Sequence, residues 1–134
     1  MRSGLPAAWR DRYEVEAFSQ DIAGLMESAD LVVGRAGGSA IAEMTAVGVP
    51  MILVPYPYAG DHQRFNAEPE ERAGAAVVVP DGEFSGVRLV QEVRRLGAQP
   101  DRLARMAAAS LAFGRPDAAR DVARVVLDAA GGSR

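Results

Sequence analysis

Three short, wholly apolar runs constrain the fold of this chain more than any other feature. They cover residues 31–33, 51–54 and 76–79, and segments with helical spacing of apolar residues separate them. Such runs are typical of strands covered on both faces of a sheet, and strands that alternate with helices favour parallel order. Residues 13–18 alternate between polar and apolar, which predicts an additional first strand. The pattern therefore predicts an α/β fold with a layered parallel sheet.

The predicted helices have recognisable ends. Asp21 is placed to cap a short first helix, and Ser39 to cap a second that Gly48 ends. Pro69 lies inside the third and predicts a kink or restart. Three more helices follow the last strand, the first with an apolar stripe formed by Val87, Leu89, Val90 and Val93.

Composition excludes several classes of protein. The 134 residues are 49% hydrophobic and 25% charged with a net charge of −3, as in one globular domain. No apolar run approaches the roughly 20 residues of a membrane helix. Without cysteine there is no disulfide framework, and the single histidine, His62, excludes a multi-histidine metal site. The acidic balance argues against a nucleic-acid partner.

A glycine-rich turn, GRAGGSAIAE over residues 34–43, follows the first apolar run. Its glycines allow close approach, and the free N–H groups of a helix start favour an anion. Glu43 lies about one turn into the helix, too far along for a capping box, and is free to accept hydrogen bonds from vicinal ribose hydroxyls. The alternative is a plain turn, in which Glu43 only interacts with the helix dipole. The residues alone leave both readings open.

A second polar loop, PYPYAGDHQRFNA over residues 55–67, follows the next apolar run. Because ligands bind beyond the carboxyl ends of parallel strands, we expect the two loops to lie close together. His62, Gln63 and Asn66 have helical spacing and are uncharged hydrogen-bonding groups that suit a sugar ring. A polar helix start is the alternative.

The run ADLVVGRAGGSAIAEMTAVGVPMILVPYPYAGDHQRFNAEPEERAGAAVVV closely resembles the MurG family. These are the UDP-GlcNAc:lipid I N-acetylglucosaminyltransferases of peptidoglycan synthesis, in glycosyltransferase family 28. The resemblance implies a Rossmann-like three-layer domain with a parallel sheet, the C-terminal half of a two-domain GT-B enzyme. Residues 13–130 correspond to part of that nucleotide-sugar-binding domain, and residues 1–12 are expected to be disordered or the remnant of a preceding helix.

The resemblance also implies residue roles. Phe18 and Ser19 match the segment that contacts uracil, and Glu43 matches the acid that binds the ribose hydroxyls. The turn at the donor phosphates corresponds to Arg35, Gly37, Gly38, Ser39 and Ala40, although the family usually has threonine at the last of these. The group that holds the GlcNAc moiety corresponds to His62, Gln63 and Asn66.

By this resemblance the chain is the UDP-GlcNAc-binding part of an inverting transferase that converts lipid I to lipid II. Such an enzyme serves cell-wall formation, cell shape and cell division at the cytoplasmic face of the bacterial plasma membrane. Neither a metal nor another cofactor is expected, and no residue is a convincing catalytic base. The acceptor and the membrane are expected to be reached only through an N-terminal domain without a counterpart here, so the chain alone is expected to be inactive.

Two alternatives remain open. The chain is a stand-alone donor-binding subunit of a split GlcNAc transferase, or it belongs to a related GT-B transferase with another acceptor. An open reading frame immediately upstream and in frame would favour a fragment over a subunit. For a natural-product transferase, an HHGG-type turn would be expected where GRAGG stands.

Overall fold

The computed structural model describes residues 12–58 and 60–131. The expectation of disorder at the N-terminus falls almost entirely on residues outside this range. Ten elements follow in chain order: α1 (Ile22–Glu27), β1 (Val32–Gly34), α2 (Gly38–Val47), β2 (Met51–Leu53), α3 (His62–Arg72), β3 (Ala76–Val78), a 3₁₀ turn (Asp81–Glu83), α4 (Gly86–Gly97), α5 (Pro100–Phe113) and α6 (Ala118–Gly131).

The strands form a parallel sheet in the order β1-β2-β3, with Val33 paired with Ile52 and Ile52 with Val77. The predicted α/β class is confirmed. The expected strand over residues 13–18 is wrong, because the described chain forms three strands and this segment is not one of them. Alternation produces a strand only where a neighbouring strand supplies backbone partners, and here Val15 and Phe18 are exposed to solvent.

The central strand β2 is completely buried, and its side chains alternate between two cores. On one face, Met51 and Leu53 pack in a cluster with residues of α2 and α3, namely Ile41, Met44 and Ala67. On the other face, Ile52 packs with Leu96 of α4 and Met106 of α5. Helices on both faces of a parallel sheet give the predicted three-layer arrangement.

The helix ends follow the sequence in part. Asp21 caps α1 by accepting a hydrogen bond from Gly24 N–H at 3.0 Å, and Gly48 ends α2 in the left-handed conformation, as predicted. The prediction of Ser39 as a cap is wrong, since Gly37 occupies that position and α2 begins one residue before Ser39. Pro69 does not interrupt α3, which continues to Arg72; proline removes only the single backbone bond that its own N–H would have donated.

Three of the four residues of the predicted stripe of α4 face outward, and Leu89 is half-buried. Val87, Val90 and Val93 are exposed, whereas Glu92 and Leu96 are buried. Glu92 is buried as an ion pair with two arginines of the same helix, Arg88 at 3.0 Å and Arg95 at 2.6 Å. Pairing on both sides allows a carboxylate to occupy the inner face.

The last helix, α6, contains no buried residue. Its large apolar side chains are 60–70% exposed, namely Val122, Val125, Val126 and Leu127. The packed domain described above therefore ends with α5. Among the described residues, no helix has the length and apolar character to cross a membrane.

Replacing Gly114 with alanine tests the packing of α5 on α2. A Cβ there would lie 2.4 Å from the carbonyl oxygen of Thr45, although the backbone of Gly114 (φ −59°) tolerates alanine. We expect Gly114→Ala to lower the free energy of unfolding by about 1–3 kcal/mol through overpacking. Urea denaturation measures this, with Gly97→Ala as the control because its Cβ meets no described atom within 4 Å. Equal stability of both variants would contradict the packing.

Glu92 predicts a pH dependence of stability. Burial alone would raise the pKa of Glu92, but the hydrogen bonds and charges of Arg95 and Arg88 outweigh it and hold that pKa below its ordinary value of 4.5. The pKa of Glu92 is therefore higher in the unfolded chain than in the folded one. The stabilisation by this carboxylate is therefore complete above the ordinary pKa and is lost as pH falls through the lower folded pKa. We expect the unaltered chain to lose more stability than Glu92→Gln between about pH 5 and pH 3. Urea denaturation at each pH measures the free energy of unfolding, with Glu27→Gln as the control. If the free energies of the unaltered chain and of Glu92→Gln fell in parallel, the ion pair would be contradicted.

Candidate functional site

The backbone ladder between β1 and β2 ends where the candidate site begins. The N–H of Val54 donates to the carbonyl of Gly34 at 2.8 Å. Beyond this bond, no backbone hydrogen bond joins the segments that follow β1 and β2 within the described residues. Beyond this bond lie the two polar segments that the sequence identifies, the glycine turn after β1 and the loop after β2. Both lie at the carboxyl edge of the sheet, where open α/β domains bind ligands.

The start of α2 presents unused hydrogen-bond donors. The N-cap, Gly37, has no side chain to cap the helix, and the first intrahelical bond runs from Ile41 N–H to the Gly37 carbonyl at 2.9 Å. The preceding N–H groups have no acceptor in the described chain; they belong to Gly37, Gly38, Ser39 and Ala40. Four such groups at the positive end of a helix dipole suit an anion.

The two glycines at this helix start leave space in front of these groups. Neither Gly37 nor Gly38 has positive φ, so the backbone conformation does not call for glycine. A Cβ at Gly37 would meet no described atom within 4 Å, and one at Gly38 would meet only Asn66 Nδ2, at 3.9 Å. Packing does not require glycine there either. The missing side chains instead let a ligand approach the backbone closely.

Glu43 is exposed and has no ion pair or hydrogen bond among the described residues. Helical side chains lean toward the helix start, which carries Glu43 over Ser39 and Ala40, its neighbours one turn back. A carboxylate with free acceptors thus lies next to the unused N–H groups. The role of Glu43 toward a ribose stays a prediction.

Gln63 and Asn66 contact the glycine turn directly. Gln63 Oε1 accepts hydrogen bonds from Ala36 N–H at 3.1 Å and Tyr56 N–H at 3.0 Å. Asn66 Nδ2 donates to the Ala36 carbonyl at 3.1 Å. The structure therefore brings the two predicted loops together through these side chains. Sequence spacing does not reveal such contacts, because they depend on the approach of residues 27 and 30 positions apart.

His62 lies at the first position of α3, exposed and without a hydrogen bond among the described residues. Before it, Asp61 adopts φ 58°, and of the described residues it is the only non-glycine with positive φ. Such a conformation carries strain, which proteins often keep at functional sites. Neither residue contacts the glycine turn through a hydrogen bond in this part of the chain.

Arg35 is committed to other partners. Its Nη1 donates to Asp81, in the 3₁₀ turn after β3, and to the Val54 carbonyl at 3.3 Å. Its guanidinium carbon lies 5.4 Å from the ring centroid of Tyr56, within cation–π range. A phosphate that uses Arg35 therefore competes with Asp81. Asp81 is not among the residues predicted from the sequence, although its position just after the third apolar run follows the same carboxyl-end rule as the other two loops.

The segment matched to uracil lies before α1. Phe18 is 81% exposed, and Ser19 Oγ accepts a hydrogen bond from Asp21 N–H at 3.2 Å. Within the described residues no hydrogen bond joins either side chain to the glycine turn. The roles predicted for both residues remain predictions.

Ala40 and Ser39 differ in their surroundings. Ala40 packs against the core cluster and offers only its N–H to the site, whereas Ser39 is exposed and its hydroxyl makes no hydrogen bond within the described chain. If the threonine that is usual in the family stood at position 40, it would add a hydroxyl. Here the hydroxyl of Ser39 is the one next to the free N–H groups.

A separate cleft of about 480 Å³ lies between the loop after β2 and the end of β3. Its lining includes Asp61, Glu68, Glu71 and Asp81 but none of the glycine turn. Glu68 is paired with Arg64 at 3.6 Å and Asp81 with Arg35, which leaves the carboxylates of Asp61 and Glu71 to oppose an anion. The electrostatics therefore favour the start of α2 over this cleft for a phosphate group.

Fold and geometry together define a Rossmann-like α/β domain with free helix N–H groups at the carboxyl edge of its sheet. Residues 4–122 match the glycosyltransferase family 28 C-terminal domain, and the chain belongs to this family.

Two relatives are each 48% identical to this chain, over 120 residues in Sorangium cellulosum and 118 residues in Alkalilimnicola ehrlichii. Both are named UDP-N-acetylglucosamine--N-acetylmuramyl-(pentapeptide) pyrophosphoryl-undecaprenol N-acetylglucosamine transferase. The alignments cover 89% and 87% of this chain but 30% and 33% of the relatives. The chain thus spans about a third of their length.

Solved structures agree with the fold. The crystal structure of Acinetobacter baumannii MurG has a TM-score of 0.76 at 29% identity, over 86% of this chain and 33% of that one. The glycotransferase of kitacinnamycin has a TM-score of 0.62 at 26% identity, over 90% and 31%. The resemblance to the MurG family is confirmed.

Proposed function

We propose that this chain is the UDP-GlcNAc-binding part of an N-acetylglucosaminyltransferase that acts on lipid I. The observation that carries the proposal is the row of four free N–H groups at the start of α2, beside the unpaired carboxylate of Glu43. An anion cradle and a ribose acceptor in this order match a nucleoside diphosphate. The names of the relatives, which are UDP-N-acetylglucosamine transferases, support the choice of nucleotide and sugar.

In this proposal the donor lies along the carboxyl edge of the sheet. The diphosphate meets the N–H groups of Gly37 to Ala40 and the hydroxyl of Ser39, and Glu43 accepts from the ribose hydroxyls. The uracil lies toward Phe18 and Ser19, and the sugar toward His62, Gln63 and Asn66. The uracil assignment rests on the resemblance alone, and the sugar assignment rests on the resemblance and on the uncharged hydrogen-bonding groups of this helix face.

The proposed chemistry is an inverting displacement at the anomeric carbon of GlcNAc. The acceptor hydroxyl forms a bond to that carbon while the bond to the UDP oxygen breaks. Negative charge develops on the departing UDP, where the N–H groups of α2 stabilise it. Holding the sugar in line with the acceptor supplies the rest of the rate enhancement. The base that takes the acceptor proton is not assigned to any residue of this chain.

The remaining parts of the proposal concern the whole enzyme. The lipid I acceptor and the membrane surface are met outside this domain, in the portion of the relatives that the chain does not span. The enzyme works at the inner face of the plasma membrane and contributes to cell-wall synthesis, cell shape and cell division. A stand-alone subunit of a split transferase would use the same donor contacts.

Donor titration tests the proposal. We expect the chain to bind UDP, and to bind UDP-GlcNAc more tightly than UDP-glucose, because the sugar contacts distinguish the acetamido group. Isothermal titration calorimetry measures the three dissociation constants, and NMR amide shifts locate the contacts at residues 37–40. Absence of UDP binding would reject the proposal, whereas equal binding of the two sugar nucleotides would reject GlcNAc as the specific donor.

Replacing Glu43 with alanine tests the ribose contact. Loss of charge-assisted hydrogen bonds should weaken UDP binding by about 1–3 kcal/mol. Because the missing contact is to the ribose hydroxyls, Glu43→Ala should also abolish any preference for UDP over 2′-deoxy-UDP. Asp128→Ala on the exposed helix α6 is the charge-matched control. An unchanged affinity would show that Glu43 does not contact the ribose and interacts only with the helix dipole.

A further inference from the structure

Both backbone polar groups of Ala36 are held by side chains of α3. Gln63 accepts from its N–H at 3.1 Å and Asn66 donates to its carbonyl at 3.1 Å. The two side chains are three positions apart and therefore share one face of the helix. Ala36 is completely buried, so its N–H would lack any partner without Gln63. The residue just before the free N–H groups is thus fixed by α3.

The same oxygen of Gln63 also joins the second loop. It accepts from Tyr56 N–H at 3.0 Å, two residues beyond the last ladder bond between β1 and β2. Both partners are N–H donors, which identifies the side-chain atom between them as the oxygen. One amide oxygen continues the sheet connection past the point where the backbones separate. It uses both of its lone pairs to do so.

We infer that Gln63 and Asn66 are positioning residues, which orient the N–H groups of Gly37 to Ala40 toward the donor diphosphate. This inference rests on the proposed function. It revises the role that the resemblance implies, because the oxygen of Gln63 is unavailable to a sugar hydroxyl. Only the Nε2 of Gln63 is left for a ligand, and it donates. A sugar contact by Gln63 is therefore restricted to an acceptor oxygen.

Gln63→Met tests the inference, because methionine keeps the size of the side chain and removes the acceptor. In the free 134-residue chain we expect hydrogen exchange of the Ala36 and Tyr56 amides to accelerate together by at least about tenfold. Affinity for UDP, which lacks the GlcNAc moiety, should fall by about tenfold, and affinity for UDP-GlcNAc by the same factor.

Three comparisons separate positioning from general damage to the fold. Gln63→Glu keeps an acceptor oxygen and should restore slow exchange at Ala36 and Tyr56. Asn66→Ala, which removes only the donor to the Ala36 carbonyl, should weaken UDP binding while the Tyr56 amide stays protected. Gln99→Met removes a 2.8 Å bond to the Arg95 carbonyl between α4 and α5 and should change neither quantity. If Gln63→Met does not fold, Gln63→Glu and Asn66→Ala decide whether the two side chains position the turn.

The outcomes distinguish this inference from the proposed function. Unchanged exchange at Ala36 and Tyr56 in Gln63→Met would overturn the inference, whatever the ligand. Loss of UDP-GlcNAc affinity with intact UDP affinity would also overturn it and make Gln63 a sugar contact. If the unaltered chain binds no UDP, the proposed function fails together with the role of Gln63 and Asn66 toward the diphosphate. The exchange data alone then decide whether Gln63 fixes the turn.

Discussion

The end of the backbone ladder between β1 and β2 is the constraint on which the rest of the site depends. Up to the bond between Val54 and Gly34, apolar burial holds the structure, and the side chains of β2 fill the cores on both faces. Beyond that bond the two segments diverge, and their N–H groups need new partners. Gln63 supplies one oxygen for two of them. The site begins where side-chain hydrogen bonds replace the backbone hydrogen bonds between β1 and β2.

The electrostatic character of the carboxyl edge of the sheet also follows from the end of the backbone ladder. The N–H groups of Gly37 to Ala40 are left without acceptors because glycine at the N-cap offers no side chain. The nearby cation, Arg35, is shared with Asp81 and the Val54 carbonyl, so a large part of its charge is already offset. The neighbouring cleft is acidic. The attraction for an anion at this edge therefore comes mainly from oriented backbone dipoles, which act over a short range and depend on geometry.

Sequence periodicity predicted those parts of the fold that depend on local pattern and burial. The three apolar runs became the three strands, and Gly48 and Asp21 end and begin helices as expected. Periodicity gave wrong predictions where contacts with distant parts of the chain determine the structure. Residues 13–18 alternate without a strand beside them, and the valines of α4 face outward because Glu92, between two arginines, takes the inner position. The two hydrogen bonds accepted by Gln63 were not predictable, since Ala36 lies in the other loop and Tyr56 lies seven residues earlier in the same one.

Ala40 shows how much of the proposed donor site resides in the backbone. A threonine hydroxyl at this position would add one hydrogen bond to a phosphate, worth roughly 1.5–3 kcal/mol for a charged acceptor. Four N–H groups with the same target, and the hydroxyl of Ser39, remain. Their value depends on common orientation, because a dipole turned away from the phosphate contributes little. The tenfold loss of affinity expected when the Gln63 contacts are removed, about 1.4 kcal/mol, is therefore of similar size to the contribution of the hydroxyl that Ala40 lacks.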